Sequence, residues 1–187
     1  WLMAVAAGLV LAVNTYSADQ KSTEPEWRLA VQAWTFNKMT AFDTLDRLVK
    51  IVVIYVEFFP GQKLGGCLEG GFGPDMDAAK RDKVKAKLKE CGIKLVNMGV
   101  TGAKDEQGWR KLFDFAKDMG IETIVSEPAE KDLEMIDKLC NEYGIRVAIH
   151  NHPKASHYWD PEIVLNAVKG RSKMIGSCAD TGHWPRS

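Results

Sequence analysis

The sequence predicts an α/β fold in which parallel β-strands alternate with α-helices. Three helical patterns each end in glycine followed by isoleucine, at Gly92, Gly120 and Gly144. Glycine accepts the left-handed conformation that ends a helix, and the isoleucine begins a strand rich in β-branched residues. These strands are apolar almost throughout, which is typical of a parallel sheet covered by helices. Helix, cap and strand recur every 24 to 28 residues, so the chain repeats a β-α unit.

The composition indicates one globular domain with no electrostatic preference for polyanions. The chain has 187 residues, of which 45% are hydrophobic and 27% charged, and its formal net charge is zero. This balance argues against nucleic acid and anionic membrane surfaces as partners. We expect a small, roughly neutral molecule or a protein surface instead, and a homo-oligomer stays open. The four cysteines form no Cys-x-x-Cys pair, so neither a zinc ribbon nor a disulfide framework is expected.

The N-terminal segment has the pattern of an export signal. Leu2 to Val13 is an apolar run, too short to span a bilayer comfortably but suited to the hydrophobic part of a signal peptide. We assign residues 1–18 to a partial export signal and residues 19–26 to a linker, and we expect a periplasmic or extracellular protein. Trp1 follows neither Met nor a basic leader, so earlier signal residues are expected to precede it. The alternative is a buried first helix.

The first strand, helix and second strand are predicted after the linker. Residues 27–36 alternate well enough for a strand, and residues 51–59 form the nearly continuous apolar run of a strand covered on both faces. A helix begins near Thr40, with its buried stripe at Phe42, Leu45, Leu48 and Val49. No glycine cap separates this helix from the second strand, so that joint is unusual. The glycine-rich stretch 61–75 is interpreted as a long functional or cover loop.

The remaining elements follow the repeat. Three helices are predicted at 78–91, 107–119 and 132–143, and strands at 93–100, 121–126 and 145–150. Their predicted buried positions are Val84, Leu88, Cys91, Trp109, Leu112, Phe113, Ala116, Leu133, Ile136, Leu139 and Cys140. A fifth helix begins at Asp160-Pro161, because proline suits the first helical turn, and Gly170 ends it before a sixth strand at 174–179.

Six strands alternating with five helices form either a doubly wound open sheet or a (β/α)8 barrel of the TIM type. No Gly-x-Gly-x-x-Gly follows the first strand, so the nucleotide-binding form of the open sheet has no support. Polar residues also gather at the ends of several strands, which is how barrel sites are built. A complete barrel needs roughly 250 residues. Residues 27–187 are therefore predicted to form an incomplete barrel of about six β-α units, with its first and sixth strands as open edges.

The candidate site is predicted where two neighbouring strands end. The fifth strand ends in His150 and His152, which share one face of the strand, whereas Asn151 points the other way. The sixth strand ends in Asp180, and His183 lies three residues further on. Two or three imidazoles and a carboxylate on one rim can hold a divalent metal ion. The sequence therefore predicts a metal site between these two strand ends.

Each of these patterns also has an ordinary structural interpretation. A histidine at a strand end is commonly just hydrogen-bonded, and Asp-Thr-Gly alone is a common turn. Function is indicated by their coincidence on two neighbouring strands, whereas His157 lies in a polar loop and is expected to take no part. Glu57, Glu127 and Asn97 lie near other strand ends, and Glu57 serves either the site or a surface ion pair. Three tryptophans are either a sugar-stacking platform or rim packing: Trp34, Trp159 and Trp184.

Four segments carry a resemblance to a known family: Glu57-Phe-Phe-Pro-Gly-Gln62, Ser126-Glu-Pro128, Ile149-His-Asn-His-Pro153 and Ala179-Asp-Thr-Gly-His-Trp184. They resemble the xylose-isomerase-like TIM barrels of the sugar phosphate isomerase/epimerase superfamily, and in particular its exported bacterial members. The likeness covers residues 27–187. Relative to that family the chain looks truncated at its C-terminus.

The resemblance implies a divalent metal ion at the carboxyl end of the barrel, with Mn²⁺ expected first and Mg²⁺, Co²⁺ or Zn²⁺ as alternatives. In the family the fifth strand gives a glutamate ligand where this chain has His150, and the sixth gives an aspartate that matches Asp180. The position of His183 usually contacts substrate. Further ligands come from two later strands that this sequence lacks. Histidine in place of glutamate leaves the full ligand set open, and Glu127 and His152 are expected to be either metal ligands or acid/base groups.

The implied chemistry is proton transfer next to a carbonyl group of a sugar. A bound cation polarises the carbonyl oxygen, and Glu127 or His152 can act as the acid or base. The expected function is a metal-dependent sugar isomerase or epimerase. Lyase or hydrolase chemistry on 3-keto-glycosides shares the same first step and remains an alternative, as does a non-catalytic sugar-binding protein or inactive fragment. Zero net charge and export argue against the related endonuclease barrels.

Overall fold

The structure is a computed structural model that describes residues 27–186. The predicted export signal and linker lie outside the described residues, so that prediction stays untested. No helix in the described part is both long and apolar enough to cross a membrane.

A six-stranded parallel sheet organises the described chain. The strands are β1 (Ala30–Gln32), β2 (Tyr55–Phe58), β3 (Lys63–Gly65), β4 (Leu68–Gly71), β5 (Lys94–Met98), β6 (Thr123–Ser126), β7 (Arg146–His150) and β8 (Ile175–Cys178). The sheet has the order β1-β2-β5-β6-β7-β8, and every neighbouring pair is parallel. Spatial order thus follows chain order, as in a β-α barrel, and β1 and β8 form the two edges.

Five helices connect the strands: α1 (Ala41–Lys50), α2 (Ala78–Cys91), α3 (Glu106–Met119), α4 (Leu133–Tyr143) and α5 (Pro161–Val168). Side chains that accept a backbone N–H cap the N-termini of the first three, at Thr40, Asp77 and Asp105. The predicted glycines end α2, α3 and α4 in the left-handed conformation. The six strands and five helices that the repeat predicted are therefore confirmed.

The core lies between the sheet and the helices. Trp109 and Phe113 of α3 are almost fully buried, as are Val147 and Ile149 on the helix-facing side of β7. Ten of the eleven predicted core positions in α2, α3 and α4 are buried. The exception is Cys91, which is only partly buried at the last residue of α2.

Two predicted strands are shorter than expected. The first covers only Ala30–Gln32, because Gln32 caps a 3-10 turn at Ala33–Phe36 by accepting the Trp34 N–H at 2.5 Å. The second begins at Tyr55, so the assignment of 51–54 to that strand was wrong. Residues 51 and 52 instead form the turn that ends α1.

That turn explains how α1 ends without a glycine. Val52 has φ +58°, and its N–H bonds to the Val49 carbonyl while the Val53 N–H bonds to the Leu48 carbonyl. Gly92 makes the same pattern at the end of α2, with φ +64°. A β-branched residue is strained in this region, so Val52 occupies the position that glycine holds in the other repeats.

The glycine-rich stretch 61–75 also differs from prediction. It contains the antiparallel hairpin of β3 and β4, so its assignment as a loop without strands was wrong. Gly66 and Cys67 form the two-residue turn with φ +56° and +63°. A Cβ on Gly71 would lie 2.7 Å from the Gly61 Cα, so glycine is required for the backbone to fold back on itself. The two strands, Lys-Leu-Gly and Leu-Glu-Gly-Gly, are too short and too rich in glycine to show the alternation of apolar and polar residues that predicts a strand.

Ion pairs join three elements at the amino end of the sheet. Glu122 accepts two hydrogen bonds from the Arg28 guanidinium, at 2.7 and 3.0 Å, and lies 2.6 Å from Lys94 Nζ. Arg28 foremost, with Lys94, lowers the pKa of Glu122 to about 2. This end of the sheet therefore holds charged groups that stabilise the fold, opposite the end where the site residues lie.

Replacing the strained cap should stabilise the protein. The Val52 side chain is 85% exposed, so Val52→Gly removes backbone strain with little lost packing, and we expect the free energy of unfolding to rise by about 1 kcal/mol. Gly92→Val is the matched control, because a Cβ at Gly92 meets nothing within 4 Å and only the backbone conformation is disfavoured. It should lower the free energy by a similar amount. Urea unfolding measures both, and an unstable V52G variant would contradict the assignment.

The stability that Glu122 contributes should depend on pH. Because its folded pKa is about 2 rather than 4.5, its contribution is full above pH 4.5 and is lost as the pH falls toward 2. Glu122→Gln should therefore destabilise the protein near pH 7, and the difference from wild type should shrink steadily below pH 4.5. Denaturant titrations across this pH range test it. A difference independent of pH would show that packing, not charge, is responsible.

Candidate functional site

The candidate site lies at the carboxyl ends of β6, β7 and β8. The registers Ser126 with Ile149 and His150 with Cys178 align these three strand ends. The residues that follow each strand, Glu127 and Asp180 among them, therefore emerge side by side with His150. The side chains of β7 alternate as predicted, with Ile149 fully buried toward the helices and His150 on the opposite face.

Three imidazoles meet at this rim. The ring centroids of His150 and His152 are 4.5 Å apart, those of His152 and His183 are 5.1 Å apart, and those of His150 and His183 are 5.8 Å apart. One nitrogen from each ring lies within 4.8 Å of the others. His150 is the most enclosed, with 12% of its side chain exposed, whereas His152 is 44% exposed and lies toward solvent.

Asp180 is held by its backbone, which leaves one carboxylate oxygen facing the imidazoles. The buried Asn151 side chain accepts the Asp180 N–H at 2.7 Å and donates to the Asp180 carbonyl at 3.0 Å. Asp180 Oδ1 accepts the N–H groups of Gly182 and His183 at 2.8 and 3.1 Å. The remaining oxygen, Oδ2, lies 3.7 Å from His150 Nε2 and 3.4 Å from His183 Nε2.

Glu127 contacts the Nδ1 atoms of two imidazoles. Its Oε1 pairs closely with His152 Nδ1 and lies 3.4 Å from His150 Nδ1, while Oε2 accepts from Ser156 Oγ at 2.7 Å. Burial raises the pKa of Glu127, but the hydrogen bonds from Ser156 and His152 together outweigh burial and lower it. An ionised Glu127 directs the Nδ1 protons of its neighbours toward itself, which leaves their Nε2 atoms available.

His183 is oriented by a different partner. An Arg186 guanidinium nitrogen lies 2.6 Å from His183 Nδ1, and a guanidinium can only donate. Nδ1 is therefore the acceptor, so the proton of the neutral ring is on Nε2, facing Asp180 Oδ2. In this arrangement His183 is a hydrogen-bond donor at the mouth of the site, and Nε2 becomes a metal ligand only when that proton leaves.

The donor set fits a divalent metal ion. The 3.4 and 3.7 Å separations around Asp180 Oδ2 are too long for strong hydrogen bonds, but they approach the spacing of two atoms bonded at about 2.1 Å to one ion. Burial foremost, with the charge of His152, lowers the pKa of His150. A neutral imidazole is the form that binds metal, so the surroundings of His150 suit a ligand.

Other residues singled out by the sequence lie apart from this cluster. Glu57 and Asn97 bond to each other on β2 and β5, toward the other edge of the sheet. His157 bonds to the exposed Glu130 and is outside the imidazole cluster, as expected.

The three predicted tryptophans have different surroundings. Trp34 packs edge-on against Phe59, with ring centroids 4.9 Å apart. Lys154 lies over the ring of Trp159, also at 4.9 Å. The Trp184 indole nitrogen is buried without a hydrogen-bond partner.

Three supporting residues were missed by sequence reasoning. The orientation of Asn151 was predicted, but its two hydrogen bonds to the Asp180 backbone were not. The one sequence signal for them was an amide side chain placed between two histidines. Ser156 and Arg186 lie in loop and turn segments whose course is set by tertiary packing. No periodicity marks such residues.

Comparison with solved structures identifies the fold. An uncharacterized protein from Parabacteroides distasonis has 34% identity and a TM-score of 0.75, over 84% of this chain and 65% of that one. A D-tagatose 3-epimerase-like protein has 12% identity and a TM-score of 0.60, over 81% of this chain and 64% of the other. The 3-keto-D-glucoside 4-epimerase of E. coli has 11% identity and a TM-score of 0.55, over 81% and 68%.

The chain has part of a TIM-barrel fold. This α/β assignment, predicted from the repeat, is confirmed by the parallel sheet and by its barrel neighbours. The chain spans less than two thirds of the length of the first two structures. No family model and no curated protein sequence matches it.

Asn151 should be essential for holding Asp180 in place. Asn151→Ala removes both hydrogen bonds to the Asp180 backbone and leaves the Asp180 N–H and carbonyl without this partner. We therefore expect the free energy of unfolding to fall by about 1–3 kcal/mol. Asn166→Ala, at an exposed position of α5, is the matched control and should be nearly neutral. Urea unfolding measures both. Equal effects of the two substitutions would contradict the role given to Asn151.

Proposed function

We propose that the chain belongs to the xylose-isomerase-like barrels and acts as a divalent-metal-dependent sugar isomerase or epimerase. The proposal rests on the convergence of His150, His152 and Asp180 from two neighbouring strand ends, with Asp180 Oδ2 3.7 Å from His150 Nε2. Solved barrels with similar folds include sugar epimerases, which favours this reaction class. Its small-molecule partner would be a sugar or keto-sugar, and we propose that the protein acts after export.

His150 and Asp180 would hold the metal ion. Both offer the atoms that it needs, a neutral imidazole nitrogen and a carboxylate oxygen not used by the local turn. When bound, the ion polarises a carbonyl oxygen and so acidifies the neighbouring C–H group. Mixed nitrogen and oxygen ligands suit Mn²⁺, which we propose first, and also accept Zn²⁺, Co²⁺ or Mg²⁺.

His152 and Glu127 would move the proton. Both Glu127 oxygens are engaged, one by Ser156 and one by His152, and only 22% of its side chain is exposed. His152 is 44% exposed, and with Nδ1 on Glu127 it presents Nε2 to the mouth of the site. The geometry therefore favours His152 as the acid or base and Glu127 as the carboxylate that orients it and stabilises its charged form.

His183 would bind and orient the substrate. With Arg186 on Nδ1, its Nε2–H points into the cluster and can donate to a sugar oxygen. Donation from a fixed imidazole holds the carbonyl end of a sugar near His152, which is the positioning that proton transfer requires.

A keto-sugar lyase or hydrolase is the second candidate. It would use the same residues and the same first proton transfer, followed by loss of the group on the next carbon. The likeness to a 3-keto-D-glucoside 4-epimerase favours a substrate with a carbonyl at carbon 3. A sugar-binding protein without catalysis, or an inactive fragment, is the remaining alternative.

Metal binding and proton exchange test the proposal together. With Mn²⁺ added in D₂O, we expect deuterium to enter D-tagatose, D-psicose or a 3-keto-glucoside next to the carbonyl, as followed by NMR. Asp180→Ala should lose stoichiometric metal and exchange alike. His152→Asn should keep the metal and lose about 10²–10⁴-fold in exchange rate.

Asp82→Ala, a substitution at an exposed acid of α2, is the matched control and should behave as wild type. Release of an unsaturated sugar from the 3-keto-glucoside would identify the lyase. Sugar binding without metal or exchange would refute an enzyme of either kind and support the binding protein. Retention of metal by Asp180→Ala would show that the ligand assignment is wrong.

A further inference from the structure

Three planar polar side chains lie side by side on the half of the sheet away from the imidazole cluster. We call Gln32, Glu57 and Asn97 the ladder, because they occupy paired positions on β1, β2 and β5. Gln32 of β1 is paired in register with Glu57 of β2, and Glu57 is paired with Asn97 of β5. Asn97 Nδ2 donates to Glu57 Oε2 at 3.3 Å. The Gln32 carbonyl oxygen accepts the Trp34 N–H, which leaves its amide nitrogen to donate to Glu57. Neither the imidazole cluster nor the ion pairs of the fold use these three groups.

The ladder shares a face of the sheet with the candidate site. Val56 and Phe58 are fully buried in the helix-packed core, so Glu57 between them points to the opposite, interior face. Val147 and Ile149 are buried in the same core, and His150 occupies the same interior face. In a barrel sheet this face lines the mouth where the strand ends converge.

The sheet order places the ladder and the candidate site on opposite halves of this interior face. Gln32, Glu57 and Asn97 lie on β1, β2 and β5, whereas the imidazole cluster lies at the ends of β7 and β8.

A carboxylate in this position is unfavourable for folding alone. Burial raises the pKa of Glu57, and the hydrogen bonds from Asn97 and Gln32 only partly oppose it. An apolar residue would suit a purely structural interior position better. Groups kept at the expense of stability are characteristic of binding sites.

We propose that Gln32, Glu57 and Asn97 form a second wall of the substrate site, and that Glu57 binds hydroxyl groups of an uncharged sugar. A carboxylate accepts two hydroxyl protons, and the flanking amides supply both donors and acceptors. The same charge repels a phosphate group, so this wall selects a free sugar over its phosphate ester. The inference rests on the proposed function in taking the ligand to be a sugar whose carbonyl end faces His150 and His152.

Calorimetric titration of the full chain tests the proposal, with D-psicose, D-tagatose and D-fructose as probes and D-fructose 6-phosphate as the charged comparison. Glu57→Gln keeps the shape and removes the charge, so neutral ketose binding should weaken by about ten-fold or more, and the preference over the phosphate ester should shrink. The thermal midpoint of Glu57→Gln should equal or exceed that of wild type. Glu134→Gln, on the outer face of α4 with 78% exposure, is the matched control.

Affinities of Glu57→Gln within two-fold of wild type, or no ketose binding by wild type, would overturn the inference. Weaker binding together with a lower thermal midpoint would also overturn it, since that pattern belongs to a structural role. The proton-exchange assay separates the two proposals. If ketose binding depends on Glu57 but no deuterium exchange occurs, the second wall is supported and the isomerase is refuted. If wild type and Glu57→Gln bind and exchange the sugar equally well, the isomerase is supported and the second wall is refuted.

Discussion

The parallel register of β6, β7 and β8 is the constraint on which the candidate site depends. Parallel strands deliver the residues that follow them to the same rim, so Glu127, His150 and Asp180 become neighbours although they are distant in sequence. Asn151 then connects two of these strand ends by bonding to both backbone groups of Asp180. Without that connection the free carboxylate oxygen would have no fixed relation to His150.

The two ends of the sheet have different roles. The amino end holds ion pairs that stabilise the fold, and the carboxyl end holds the candidate site. At the amino end, Glu122 is stabilised in its charged form by Arg28 and Lys94. At the carboxyl end, burial disfavours the charged forms of His150 and Glu57. Groups whose charge the fold disfavours are the ones able to gain from a ligand, because a bound ion or hydroxyl replaces the lost hydration.

The sequence patterns succeeded where a local rule governs the structure. Glycine followed by isoleucine located the ends of α2, α3 and α4, since only glycine takes the left-handed cap without strain. The same rule failed at Val52, where a β-branched residue takes the left-handed conformation in the turn that ends α1. The β3–β4 hairpin was missed because close backbone contact, not side-chain alternation, defines it.

The sequence by itself determined the repeat of strands and helices, the core positions of the helices, and the pairing of His150 with His152 on one face. These follow from periodicity and from the conformational preferences of single residues. Only the tertiary structure decided that Ser156 and His152 engage Glu127, that Arg186 orients His183, and that Asn97 bonds to Glu57. The contacts of Glu127 join residues 25 and 29 positions apart, where no local rule acts, because their distances are set by how the sheet curves and how its loops pack.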